Sequence, residues 1–191
     1  TDSDNWPRCV QLAWQVHDEM GKLIEVKNYI IKPEGYDIPF NAAKIHGITT
    51  ERAEKQGVAL DFVLNEFNEA LSKSKFVVGH NVTFDNNIMG AEFHRKGIDS
   101  PLAEMKALDS CTEVTATLCQ IPGGRGGKFK LPKLEELHQF LFNEGFAEAH
   151  NASADVEATT RCFLELIRKE VYTTKDLEVE QDYFTKFQEQ N

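Results

Sequence analysis

No apolar run in this 191-residue chain approaches the ~20 residues that a membrane-crossing helix needs, so no spanning segment is expected. Cysteine is scarce. Cys9, Cys111, Cys119 and Cys162 include no C-x-x-C pair, which leaves a zinc knuckle or a thioredoxin-like redox site unsupported. A chain of this length buries enough surface to do without disulfides, so the thiols are expected reduced and the location cytoplasmic, with Cys111 and Cys119 as small core residues. Basic charge is also short, at 21 Lys and Arg against 31 Asp and Glu. The net charge of -10 argues against broad electrostatic attraction to duplex nucleic acid. Internal repeats and low-complexity segments are absent. Thr1 to Arg8 is polar and does not read as a signal or transit sequence.

What is present is ordinary globular material. Apolar residues make up 41% and include 13 Phe, enough for one core. Over residues 9–16, Val10, Leu12, Trp14 and Val16 alternate with Gln11 and Gln15, which predicts a half-buried strand. A turn over residues 18–21 and a second strand over 23–31 make an antiparallel hairpin. Asp61 is expected to cap a helix bearing Val63, Phe67, Ala70 and Leu71. Residues 76–79 read as a buried strand, followed by a helix that stops near Gly97. A short strand at 107–111 and a helix at 112–120 come next. Pro132 suits the first turn of a helix with Leu134, Leu137 and Leu141, and a last helix spans 153–169. Hairpin first, then alternating helices and strands, predicts an α/β fold with a mixed sheet flanked by helices. The domain is placed at 9–169, and 170–191 is an acidic C-terminal extension, read as a short helix or a peripheral arm.

Three groups of residues carry the chemistry. Gly79-His80-Asn81-Val82-Thr83-Phe84-Asp85 falls where a strand ends and a helix starts, the usual place for ligands in α/β sheets. Taken alone, Asp85 reads more readily as a cap and a charge favouring the helix N-terminus. His150-Asn151-Ala152-Ser153-Ala154-Asp155 opens the last helix. His150 belongs on the loop, and Asp155 lies on the stripe of Ala158 and Cys162, where a buried carboxylate is costly unless paired or metal-bound. A surface histidine is the plainer reading of His150 by itself. Ile45-His46-Gly47-Ile48-Thr49 suits packing on a flat ligand such as a base, or simply the N-terminus of a helix. The glycine-rich loop at 122–130 is not a P-loop: Pro122 stands where the first glycine is needed, and Phe129 follows Lys128. Its Arg125, Lys128 and Lys130, with Lys133, occur with no acid between them and suit phosphate contacts as well as they suit a solvated loop.

In this order and spacing, Ile45 to Thr49, His80 to Asp85 and His150 to Asp155, with Glu157-Ala158-Thr159 behind, resemble the exonuclease domain of the DNA polymerase III epsilon subunit. That is the DnaQ-like group of the DEDD family, histidine variant, with an RNase H-like fold. The resemblance covers roughly residues 9–168. It implies 3′–5′ removal of nucleotides from a single-stranded DNA end with two Mg²⁺ or Mn²⁺ ions. Asp85 and Asp155 would be metal ligands and His150 the general base. Ile45, His46 and Phe84 would pack on the terminal nucleotide, Asn81 would orient the loop or the substrate, and Arg125 and Lys128 would contact the backbone. A replication role would add a polymerase subunit as partner, and Gln181 to Phe184 is loosely similar to a sliding-clamp peptide.

One departure bears on all of this. The family opens with a central strand carrying Asp-x-Glu-Thr-Thr-Gly, whose two carboxylates complete the metal site. No such run occurs here, and Asp2 and Asp4 lack both the apolar strand before and the Thr-Thr-Gly after. The fold is therefore expected without its central first strand, on a chain that starts after it, and this chain is expected to be impaired. The alternatives are a non-catalytic nucleic-acid or protein binding module on the same fold, an exoribonuclease, and an unrelated nucleotide-binding α/β protein.

Overall fold

The computed structural model describes residues 5–191, so Asp2 and Asp4 lie outside the described residues. Strand β1 (Gln11–His17) turns at Asp18 and pairs antiparallel with β2 (Leu23–Ile30). The Asp18 carboxylate accepts the N–H groups of Met20 and Lys22 at 2.9 Å each, and Gly21 takes the positive φ of 83° that closes the turn. Three helices follow: α1 (Phe40–His46), α2 (Thr50–Gln56) and α3 (Leu60–Ser72). Strand β3 (Phe76–Gly79) leads into α4 (Val82–Lys96), and β4 (Lys106–Asp109) lies parallel to β3. Helices α5 (Glu113–Cys119), α6 (Leu134–Phe142) and α7 (Ala152–Arg168) come next. Two short helices, α8 (Thr174–Leu177) and α9 (Tyr183–Gln190), form the tail.

The α/β class and the mixed strand directions agree with the sequence. The strands form two separate two-stranded sheets, β1-β2 and β3-β4, among the described residues. They share their helical covers. Trp14, Leu12 and Val16 of β1 and Val77 of β3 pack in one cluster with Leu60, Val63, Met89 and Phe93 of α3 and α4. Phe76 and Val78 point the other way, into a cluster with Leu137, Cys162, Leu166 and Phe187. This is strand alternation at work. On its polar side β1 meets α7, where Gln15 bonds Glu157 at 2.7 Å and Thr160 at 2.9 Å. The two sheets lie between common helix layers, and no strand joins them among the described residues.

Several local expectations need correction. Residues 76–79 are half-buried rather than buried, because β3 has a strand neighbour on one edge alone. Asp61 is not the cap of α3. Val58 is drawn into a bridge with Ile31, the fully buried Leu60 then starts the helix, and Asp61 pairs with Lys96 at 2.8 Å. Pro132 stands ahead of α6, whose cap is Lys133, and its carbonyl is engaged elsewhere. The buried thiols are Cys9 and Cys162, whereas Cys111 and Cys119 are half-buried; all four are free. Of the two readings of the tail, it forms short helices, and Leu177, Tyr183 and Phe187 are buried in the second cluster. Within the clamp-like run Tyr183 is buried, and its hydroxyl donates to the Glu19 carbonyl.

Candidate active site

The site gathers at the ends of β3 and β4. Gly79 ends β3 and Asn81 turns left-handed, with φ 65°, before α4 begins. Asn81 makes no side-chain cap on α4. The cap comes from the neighbouring strand instead. Asp109, the last residue of β4, accepts the N–H groups of Asn81 (2.8 Å) and Val82 (3.2 Å), and also that of Cys111 (2.8 Å). An acid at this point both satisfies orphan amides and suits the positive end of the helix. The Asp109 carbonyl accepts the Tyr172 hydroxyl at 3.1 Å, which ties β4 to the segment after α7.

His80 is locked. Its Nε2 lies 2.7 Å from the Pro132 carbonyl, which can only accept, so Nε2 carries the proton and Nδ1 accepts from Ser110 Oγ at 2.8 Å. Burial holds its pKa below the ordinary value. Histidine 80 therefore joins the ends of β3 and β4 to the start of α6, and it is not free to titrate as a base.

Asp85 stands in the first turn of α4. Its side chain shows at the mouth of the site, yet protein crowds it enough that partial desolvation pushes its pKa up to about 6, with repulsion from Asp109 and then Asp155 adding to the effect. Asp155, in the first turn of α7, is half-buried rather than fully buried. Burial raises its pKa too, opposed by a bond from the His150 backbone N–H at 3.2 Å. His150 has φ 75° and a side chain 63% exposed, with Nε2 3.9 Å from Glu135 Oε1. Asn151 caps α7, its Oδ1 accepting from Ser153 (3.0 Å) and Ala154 (3.2 Å).

Helix α1 has no buried residue, and Ile45 is 66% exposed. His46 ends α1, and its Nδ1 accepts the Ile48 N–H at 3.0 Å across the left-handed Gly47. Phe84, half exposed beside Asp85, meets the Trp6 ring edge-on at 6.1 Å. The basic loop is less basic in space than in sequence. Lys128 pairs with Glu113 at 2.8 Å and Lys130 with Glu136 at 2.6 Å, while Arg125 has no ion-pair partner among the described residues. The sequence separation of these acids hid their neutralising effect.

Magnesium or manganese needs several hard oxygen donors. Asp85 and Asp155 are of the right type. Asp109 lies close enough to repel Asp85, but its oxygens already serve three amides. No cluster of three or more His, Cys, Asp or Glu arranged to hold a metal is present among the described residues. The donors fit a divalent cation in kind and fall short in number among the described residues. Asp109 itself escaped the sequence reading. The available signal was an acid ending an apolar strand, directly before the Thr112 cap of the next helix.

Strand ends, a capped helix start and nearby carboxylates come together here on an α/β scaffold. The sequence pattern of the exonuclease family of RNase T type matches residues 13–163, and the chain belongs to that family. It is 29% identical over 162 residues to the 3′-5′ exonuclease DinG of Bacillus subtilis, covering 85% of this chain and 16% of that protein. It is 26% identical over 144 residues to the PolC-type DNA polymerase III of Mycoplasmopsis pulmonis, covering 75% of this chain and 9% of that one. The chain thus spans a small part of the curated relatives it matches. Escherichia coli Exonuclease I in complex with a dA16 oligonucleotide superposes with a TM-score of 0.68 at 23% identity, over 88% of this chain and 38% of that one. A zinc-bound form of the same enzyme with single-stranded DNA gives 0.68 at 24% identity. These likenesses establish the RNase H-like fold. No helix among the described residues is long and apolar enough to cross a membrane.

Proposed function

We propose that this chain is the substrate-binding and base-supplying part of a 3′–5′ exonuclease domain acting on single-stranded DNA ends, with half of its metal site supplied by its own residues. The observation that carries the reading is the placing of Asp85 and Asp155 in the first turns of two helices beside the end of β4, where burial first, then repulsion from Asp109 and from Asp155, raises the Asp85 pKa. Carboxylates close enough to repel destabilise each other unless a cation or proton intervenes. With two further carboxylates present, Asp85 and Asp155 would each give an oxygen to Mg²⁺ or Mn²⁺, which would ready a water for attack and neutralise the phosphate.

The chain's own residues have definable tasks. Ile45 and Phe84 offer exposed apolar surface for a terminal nucleotide, and His46 shapes the turn between α1 and α2 through its bond to Ile48. His150, exposed and bonded through its backbone N–H to Asp155, would take a proton from water. Arg125 is the loop cation left for a backbone phosphate, Lys128 being engaged by Glu113. A DNA polymerase subunit as partner and a cytoplasmic setting fit the same reading.

The test is mononucleotide release from 3′-labelled single-stranded DNA with Mg²⁺ or Mn²⁺. This chain is expected to show little turnover. Fusing an apolar strand carrying Asp-x-Glu ahead of it should restore activity, and His150→Ala should then remove it. Robust turnover by the chain itself, lost in His150→Ala, would overturn the half-site. A fused protein that binds the oligonucleotide and never cuts it would favour a non-catalytic binding module.

A further inference from the structure

An open cleft of about 280 Å³ lies between the hairpin, α2 and the start of α7. Gln11, Asn28, Arg52, Gln56 and Asn151 give it a polar lining, over the aliphatic surface of Ile30 and Val58. Its lining holds one cation and no carboxylate, in a chain whose net charge is -10. The cation is held in place. Arg52 Nε donates to Gln56 Oε1 at 3.1 Å, and Nη1 donates to the Gly47 carbonyl at 3.2 Å. Two of its donor directions are thus fixed while the rest of the guanidinium stays exposed.

The carboxamides are oriented as well. Gln11 Nε2 donates to Asn28 Oδ1 at 2.9 Å, which leaves Asn28 Nδ2 as a donor. Asn151 Oδ1 is occupied by the Ser153 and Ala154 amides, which leaves its Nδ2 as a donor. A guanidinium with carboxamide N–H donors around it, and no competing acid, is complementary to a phosphodiester oxygen.

The position of the cleft selects the ligand. Arg52 is bonded to Gly47, next to His46, and Asn151 follows His150, so the cleft borders two of the three segments that form the candidate site. We infer that it seats an internucleotide phosphate of the single strand, one step upstream of the terminal nucleotide that meets Ile45 and Phe84. The inference rests on the exonuclease reading and adds a subsite to it. Every nucleotide presents the same phosphate, so this contact is tolerant of sequence.

Fluorescence anisotropy with 5′-labelled (dT)2, (dT)4 and (dT)8, in EDTA so that no cutting intervenes, tests it. Arg52→Ala should weaken (dT)4 and (dT)8 roughly fivefold at low salt and reduce the slope of log affinity against log salt by about 0.7, the share of one phosphate contact on a single strand. Gln56→Ala, which frees the guanidinium to wander, should weaken binding less. Competition by dTMP, which has no internucleotide phosphate, should be unchanged in both variants. Both side chains are exposed, so an unchanged melting temperature is expected alongside. Oligonucleotide binding that is tight in the unmodified chain and insensitive to both substitutions overturns the subsite while leaving the exonuclease reading in place. Absence of any binding by the unmodified chain overturns that reading, and the subsite with it.

Discussion

Asp85 rides on a 15-residue helix whose leading amides are held by a carboxylate from another strand, with His80 bonding the same strand end to the loop ahead of α6. His150 stands opposite on a left-handed residue, its side chain largely in water, joined to Asp155 by one backbone bond of 3.2 Å. One wall is anchored through space by β4, and the other chiefly by local capping from Asn151. The difference suits their proposed tasks. A ligand must be positioned before its charge is neutralised, whereas a base must reach a water and release its proton.

The greatest effect is expected at Asp109, since its carboxylate holds the leading amides of α4. Asp109→Ala removes the acceptor of three backbone amides and the cap of α4. Hydrogen bonds to a charged group contribute roughly 1.5–3 kcal/mol each, and the freed amides regain some water, so a net loss of about 2–3 kcal/mol in urea denaturation is expected. Amide exchange at Asn81 and Val82 should accelerate, with little change at Ser153 and Ala154. A loss below about 0.5 kcal/mol, within the range of ordinary surface substitutions, would show that the Asp85 wall does not depend on β4.

Asn151→Ala applies the same logic to the second wall. Its Oδ1 caps α7 by two bonds, and loss of such a cap costs about 1 kcal/mol. The effect should be local, with faster exchange at Ser153 and Ala154 and none at Asn81. If exchange quickens on both walls together, the site is a single mechanical unit and the contrast fails.

How much of this was legible in the sequence follows the same division. The second wall was open to reading, because its structure is local: His150 on the loop and Asp155 on the helix come from a six-residue run. The hairpin, the stop of α4 at Gly97 and the Thr112 helix start also follow from neighbours in sequence. The first wall was half legible. Asp85 stood out by its place after a strand, whereas Asp109 acts on Asn81 from 28 residues away and leaves no local signature. Through-space partners account for the other misses. Glu113 and Glu136 neutralise lysines that looked free, Glu92 is completely buried against Arg8 and Arg95, and Arg52 is fixed by Gly47 and Gln56. Strand β3 misled in another way. Its apolar run is suited to neighbours on both edges, and burial depends on a strand that its own sequence does not contain.

The smallest effect expected is electrostatic, and it separates the two carboxylates. Asp85 has its pKa raised from 3.8 to about 6 in the folded chain. Between those values the folded state holds a proton that the unfolded state has released, so stability falls as pH rises through this window and stays reduced above it. Asp85→Asn removes the group that must ionise there. Its melting temperature should exceed that of the unmodified chain at pH 7.5, and the gap should close as the pH approaches 4. Asp155 is raised in the same direction, but its carboxylate accepts the His150 N–H, a bond that favours the charged form and that the amide would weaken. Asp155→Asn should therefore gain less at pH 7.5 than Asp85→Asn. Differential scanning fluorimetry from pH 4 to 8, in EDTA, reads both curves. Equal gains would mean that the His150 bond contributes nothing to Asp155, and that the second wall is held by the Asn151 cap alone.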